Sequence, residues 1–211
     1  MVLREKEFMI KNVVFDFGQV MVHFEPRYMV ERYVSNEADA KILTSVLFDR
    51  LYWDRLDDGT ITDSEVVQAC KGRLPERLWE VAEKIYYNWI YNIPEMEGMV
   101  DLVQRIKTKY KKRVFLLSNI STYFADYAKE IPMLGVFEDC IFSAVCGMVK
   151  PNQEIFEYLC KKCNILPQET LFVDDNPKNI KGAVSFGING YLFDGDVARL
   201  QDYIEEIFAN D

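Results

Sequence analysis

The residues of this chain that packing explains least well are Asp16, the pair Ser118-Asn119, Lys150 and the pair Asp174-Asp175. Three of these four positions close a short apolar run. Asp16 follows Val13-Val14-Phe15, Ser118 follows Val114-Phe115-Leu116-Leu117, and Asp174 follows Leu171-Phe172-Val173. Runs of this kind read as strands buried on both faces, as found inside a parallel sheet. All strands of a parallel sheet end on one edge, so residues far apart in sequence converge there. Carboxylates gathered at one edge repel, and a hard divalent cation with oxygen ligands resolves that repulsion. Mg²⁺, which takes one or two carboxylates, waters and a substrate phosphate, suits this inventory better than a thiolate or imidazole site, since His23 is the only histidine. Ser118 and the amides after it can donate to phosphate oxygens, and Lys150 can offset charge on a transferring group. Taken singly, each group has an ordinary reading: Ser118 and Asn119 as a helix cap, Lys150 as a solvated lysine, Asp174-Asp175 as a loop. Their arrival at one edge, in this order, is what points to a site.

The elements that must position these groups can be read in outline. Val20-Met21-Val22-His23-Phe24 predicts a short hairpin or flap after the first strand, and Pro26 opens a helical region at a position proline tolerates. Residues 27–34 and 38–53 carry apolar side chains at helical spacing, and Asp57-Asp58-Gly59 predicts a turn. Thr62-Asp63-Ser64-Glu65 matches a capping box, and Pro75 predicts the start of a helix rich in aromatic residues. Tyr52, Trp53 and Arg55, close to a turn, are placed to reach a ligand, as is Arg27. After Asn92-Ile93-Pro94 the pattern alternates between helix and strand, which predicts an α/β fold with a parallel sheet. Helices are expected over 98–110, from Pro151 to 163, over 180–186 and over 197–208, with further strands at 140–142 and 190–193. The first strand is separated from the others by the helical insert, so the α/β domain is discontinuous.

Composition bounds the function. With 211 residues and 49% hydrophobic composition, the chain has material for one sizeable core carrying an insert. Its 34 acidic and 25 basic residues give a net charge of -9, which argues against nucleic acid or an anionic membrane surface as partner. No apolar run approaches the length of a membrane span, and Met1-Val2-Leu3-Arg4-Glu5-Lys6-Glu7 is too charged for a secretory signal, so a cytoplasmic location is expected. Five cysteines, an odd number, fit free thiols better than a disulfide framework. The Cys160/Cys163 pair falls in an expected helix with no second pair, so it is not read as a zinc site.

Asp16-Phe17-Gly18-Gln19-Val20, Ser118-Asn119, Lys150-Pro151 and Phe172-Val173-Asp174-Asp175-Asn176 resemble the four ordered motifs of the haloacid dehalogenase superfamily. The resemblance covers nearly the whole chain. It implies a Rossmann-like parallel-sheet core, residues 1–20 plus 94–211, with an inserted all-helical cap of the C1 type, residues 21–93. The glycine-bearing first motif looks most like the sugar-phosphatase branch related to α-D-glucose-1-phosphate phosphatase. The resemblance further implies that Asp16 attacks phosphorus to form an aspartyl phosphate. Mg²⁺ would be held by Asp16, the Gly18 carbonyl and Asp175, with help from Asp174. Ser118 and the Asn119 amide would hold phosphoryl oxygens, and Lys150 would neutralise charge and keep Asp16 ionised.

In one respect the chain departs from the common pattern: Gly18 stands where the family usually has a second Asp. That residue normally protonates the leaving oxygen, and loss of such help costs roughly 100- to 10,000-fold. A good leaving group, a substitute residue, or loss of turnover would each accommodate it. His23 is of a type suited to moving protons but is more simply structural, and Gln19 carries no ionisable proton. The expected function is a Mg²⁺-dependent phosphatase of a small phosphorylated metabolite, acting as monomer or homodimer. The alternatives are a phosphate-binding domain with little or no turnover and a metal-independent 2-haloacid dehalogenase, against which the paired acids Asp174-Asp175 argue.

Overall fold

The computed structural model of the protein describes residues 9–209. The charged stretch Met1 to Glu7 lies outside the described residues. Five strands, β1 (Asn12–Phe15), β2 (Arg113–Ser118), β3 (Asp139–Phe142), β4 (Thr170–Asp174) and β5 (Asn189–Leu192), form one parallel sheet in the order β3-β2-β1-β4-β5. Side chains alternate along each strand, so one face carries Val13, Phe15, Leu116 and Val173 and the other carries Val14, Phe115, Leu117 and Phe172. Helices cover both faces. Against the first pack α6 (Met99–Thr108) and α11 (Val197–Phe208), and against the second α9 (Gln153–Cys163) and α10 (Pro177–Phe186). Because β1 is central and fully buried, each of its large side chains contributes roughly 1.5–3 kcal/mol of burial. This is the expected α/β, Rossmann-like core.

The insert consists of α1 (Pro26–Glu31), α2 (Glu37–Leu47), α3 (Trp53–Asp57), α4 (Asp63–Lys71) and α5 (Trp79–Asn88). It buries its own apolar cluster, including Leu43, Val66, Val67 and Ile85, separate from the two clusters that flank the sheet. The capping box is present: Thr62 Oγ1 accepts from Glu65 N at 3.2 Å, and the Glu65 carboxylate accepts from Thr62 N at 2.9 Å. Three contacts seat the insert on the core helices α7 (Thr122–Tyr127) and α8 (Ser143–Cys146). Asp63 Oδ2 accepts from Tyr123 N at 3.2 Å, the Tyr123 hydroxyl donates to the Tyr87 carbonyl at 2.9 Å, and Gly59 lies against the backbone of Ala144.

Four local expectations are corrected. Residues 20–24 form no hairpin: Val20, Met21 and Val22 are fully buried under the sheet's own cluster, and Val22 makes only isolated bridges to Gly18 and Glu95. Residues 38–53 do not form one helix, because the Asp49 carboxylate accepts from Leu51 N at 3.0 Å and turns the chain before α3. Pro151 does not open α9; Asn152 N donates to the Val149 carbonyl at 3.0 Å, and this turn delays the helix to Gln153. Conversely α10 starts at Pro177, earlier than Ile180, because the Asn176 side chain caps it by accepting from Lys178 N at 3.0 Å. The five cysteines are free thiols, and Cys160 and Cys163 are buried in α9. Among the described residues no helix is long and apolar enough to cross a membrane.

Candidate active site

The register of the sheet dictates the site. Phe15 pairs with both Leu116 and Val173, so the next residues, Asp16, Leu117 and Asp174, lie level at the carboxyl edge. Asp16 N donates to the Val173 carbonyl at 2.9 Å, extending the ladder by one bond and setting the Asp16 carboxylate beside that of Asp174. Two carboxylates this close need a cation, and Lys150 supplies it. Its Nζ lies 2.7 Å from Asp16 Oδ1, 2.8 Å from Asp174 Oδ2 and 3.0 Å from the Leu117 carbonyl. An ammonium has three donors, and three oxygens surround this one. The lysine side chain is 1% exposed, so nothing is left over for solvent.

The carboxylates differ in how they are held. Both Asp174 oxygens are taken up: Oδ1 accepts from Asn176 N at 2.8 Å and from Asn179 Nδ2 at 3.1 Å, and Oδ2 accepts from Lys150 and from Asn179. At Asp16, Oδ1 faces Lys150 and accepts from Phe17 N at 2.7 Å, while no hydrogen bond from the described residues reaches Oδ2. Asp175 completes the group, since one oxygen each of Asp16, Asp174 and Asp175 lie within 4.8 Å of one another. This donor set fits Mg²⁺: it is all oxygen, and three carboxylates against one ammonium leave two negative charges.

Burial pushes the Asp16 carboxyl up to about 7; the Lys150 charge opposes the rise and the Asp174 charge adds to it. Lys150 therefore pulls in the expected direction, but burial outweighs it. For Lys150 itself burial favours the neutral amine, yet the charges of Asp16 and Asp174 prevail and hold its pKa above the ordinary lysine value. Asp175 is raised by burial and then by Asp174.

Ser118, the last residue of β2, lines the same cavity, of about 580 Å³, as Asp16, Gly18, Asn119, Lys150 and Asp175. The site residues expected from sequence thus line this cavity, except Asp174, which is joined to it through Lys150. Asn119 also reaches beyond the cavity, and its side chain is bound to the backbone of Lys150 through two hydrogen bonds. The loop after β2 is pinned by Ser143, whose Oγ accepts from Ile120 N at 2.9 Å. From the insert, Trp53 reaches the cavity as expected, with Arg50, Asp54 and Asp57 beside it. Tyr52 and Arg55 do not line it, and Arg27 is engaged on the surface by Glu31 and Glu37. His23 lies off the cavity wall, its backbone amide bound to the Pro94 carbonyl at 2.8 Å.

The haloacid dehalogenase-like hydrolase family profile matches residues 10–187, which spans β1 through α10 and hence every group just described. The chain belongs to this family. Among its curated relatives, D-ribitol-5-phosphate phosphatase from Bacteroides thetaiotaomicron is 27% identical over 180 residues, covering 82% of this chain and 86% of that protein. A haloacid dehalogenase-like hydrolase from Porphyromonas gingivalis superposes with a TM-score of 0.70 at 23% identity, covering 93% of this chain and 98% of that one. A haloacid dehalogenase family enzyme from Bacteroides thetaiotaomicron, in complex with magnesium and inorganic phosphate, superposes with a TM-score of 0.68 at 22% identity, covering 90% and 98%. These two likenesses show the fold.

For a haloacid dehalogenase-like hydrolase, the sequence reading missed three supporting side chains. Asn179 sits five residues after Asp174 on α10 and clamps both its oxygens. Asp63, read only as part of a capping box, joins insert to core. Asp57, read as part of a turn, faces the site from the insert. The first could be found from helix geometry once Pro177 is taken as the helix start; the other two depend on how the insert sits on the core.

Proposed function

We propose that the protein is a Mg²⁺-dependent phosphatase of a small phosphorylated metabolite of the sugar or polyol phosphate class. The observation that carries this reading is the lysine-bridged pair: Lys150 Nζ 2.7 Å from Asp16 and 2.8 Å from Asp174, with Asp16 Oδ2 left without a hydrogen bond from the described residues. Asp16 Oδ2 attacks phosphorus and the ester oxygen leaves, giving an aspartyl phosphate; water then displaces Asp16 and releases inorganic phosphate. Ser118 and the Asn119 amide hold phosphoryl oxygens, and Lys150 balances the charge that builds on them. Asp16, Asp175 and the Gly18 carbonyl, with Asp174, would hold Mg²⁺, which when bound clamps the phosphoryl group and adds positive charge beside it.

The phosphatase among its relatives supports phosphoester hydrolysis over dehalogenation. So does Asp175, an acid for which a metal-independent reaction has no use. A cavity of about 580 Å³ suits a phosphate with a short carbon chain, and Phe24, Phe48, Trp53 and Trp89 give it apolar walls on which a polyol can lie. The free thiols fit a reducing compartment, and this reading assigns the protein to the cytoplasm.

Phosphate release from a panel of sugar and polyol phosphates, with Mg²⁺ and with chelator, tests it. Release that needs Mg²⁺ and disappears in Asp16→Asn is expected. Phosphate binding without release from any substrate would favour the binding-domain alternative.

A further inference from the structure

Cleavage of an alkyl phosphate expels an alkoxide, which needs a proton as the P–O bond breaks. None of the groups assigned above can give it. Lys150 is enclosed by three oxygens, and Asp174 is taken up by Lys150, Asn176 and Asn179. Gly18 has no side chain, Gln19 has no ionisable proton, and His23 lies off the cavity wall. The insert offers carboxyls instead. Asp63 is committed, accepting from the Tyr86 hydroxyl at 3.0 Å and from Tyr123 N at 3.2 Å.

Asp57 is different. It lines the same cavity as Asp16, and no hydrogen bond or ion pair from the described residues engages its carboxyl. Its place over the core is fixed two residues on, at Gly59, where a Cβ would lie 2.7 Å from the Ala144 carbonyl oxygen and φ is +75°. Only glycine lets the insert approach this closely. Beside the nucleophile, a Cβ at Gly18 would meet nothing within 4 Å. Gly18 and Asp57 line the same cavity.

We propose that Asp57, reaching across from the insert into the space beside Gly18, is the proton donor to the leaving oxygen. The inference rests on the phosphatase reading given above. As the Asp16–phosphorus bond forms and the ester P–O bond breaks, the Asp57 proton passes to the departing oxygen, and the alcohol leaves neutral. In the second step a water oxygen bonds to phosphorus as the Asp16–phosphorus bond breaks, the water's proton passes to solvent, and Asp57 regains its own proton from solvent. Asp57 ends as it began.

The electrostatics agree with this role. Burial pushes the Asp57 carboxyl up to about 6; Arg50 and Lys150 oppose the rise, and Asp54 and Asp58 add to it. Asp16, Asp175 and Lys178 also face the cavity from the core. A carboxyl in that range can both give and take a proton near neutrality.

The test compares Asp57→Asn with the native chain on two Mg²⁺-supplied substrates, a polyol 5-phosphate and para-nitrophenyl phosphate. The nitrophenolate leaves without a proton, so the variant is expected to lose roughly 100- to 10,000-fold in kcat on the polyol phosphate while staying near native on the aryl ester. Asp57→Glu is expected to recover part of the loss. In the native chain, kcat on the polyol phosphate should fall above a midpoint near the Asp57 value, a limb missing with the aryl ester; this holds the proposal to account if the variant does not fold. Equal losses on both substrates, no loss on the polyol phosphate, identical pH profiles, or the effect appearing in Asp54→Asn instead would overturn it. If Asp16→Asn is dead and Asp57→Asn fully active on both, only this inference fails. If the native chain hydrolyses neither, the phosphatase reading fails and takes this one with it.

Discussion

Asn119 and Lys150 hold each other by two hydrogen bonds: Lys150 N donates to Asn119 Oδ1 at 2.8 Å, and Asn119 Nδ2 donates to the Lys150 carbonyl at 3.0 Å. This strap ties the end of β2 to the loop after α8. Without it the Lys150 backbone loses its two bonds to the Asn119 side chain, and the contact of the ammonium with the Leu117 carbonyl remains as a tie to β2. The position of the site's positive charge is therefore set partly by a residue whose sequence context suggested a phosphate contact or a helix cap.

Asn119→Ala removes both bonds and leaves two half-buried backbone groups without partners, a loss of about 1–3 kcal/mol. Urea unfolding should report that loss, and steady-state assays should show a lower kcat with KM changed less. Asn119→Asp, which keeps the acceptor for Lys150 N, should fall between. Native kcat in Asn119→Ala would show that Lys150 is placed without the strap.

Lys150→Met leaves the buried Asp16 and Asp174 carboxylates facing each other with no counter-charge. Breaking a buried pair by removing one partner costs about 3–5 kcal/mol. Denaturation in chelator at neutral pH should show that cost, and lowering the pH should recover part of it as a carboxylate protonates. A loss within error of a surface substitution would contradict the bridging geometry.

A pH dependence follows from Asp57. Its folded-state value, about 6, lies above the ordinary 3.8, so the native state holds this proton more tightly than the unfolded chain does. The contribution is present in full below the unfolded value and is lost as pH rises through the folded one. Asp57→Asn should therefore be more stable than the native chain above pH 6, with the gap closing as pH falls toward 4. Parallel stability curves for the two proteins would show that Asp57 is not desolvated.

Two glycines should respond oppositely to alanine. Gly59→Ala forces a Cβ against the Ala144 carbonyl at a φ of +75°, and strain of this kind costs on the order of 1–3 kcal/mol. Gly18→Ala meets open space and should fold like the native chain. Thermal melts decide both, and a rise in KM for Gly59→Ala is expected as the insert lifts from the core. Equal melting shifts would contradict the account of how the insert is seated.

Much of this arrangement was legible in sequence because the sheet is parallel. Val13-Val14-Phe15, Val114 to Leu117 and Leu171 to Val173 are apolar on both faces, and the polar residue ending each run then has one place to go, the shared edge. What stayed hidden depends on packing between separate elements. Asp57 and Gly59 in Asp-Asp-Gly read only as a turn between elements, because nothing local shows that Ala144 lies against that turn. Val20 to Val22 read as a flap because their apolar pattern does not say that the sheet's core extends over them. Pro151 read as a helix start, but the turn from Val149 to Asn152 that places Lys150 takes it instead.

The most direct test of the central claim is to quench the protein in acid during turnover with Mg²⁺ and phosphorylated substrate, then map the peptides by mass spectrometry. One added phosphoryl group on the peptide carrying Asp16, absent in Asp16→Asn, is the predicted result. Turnover with the phosphoryl group on another residue, or undiminished turnover in Asp16→Asn, would contradict the account.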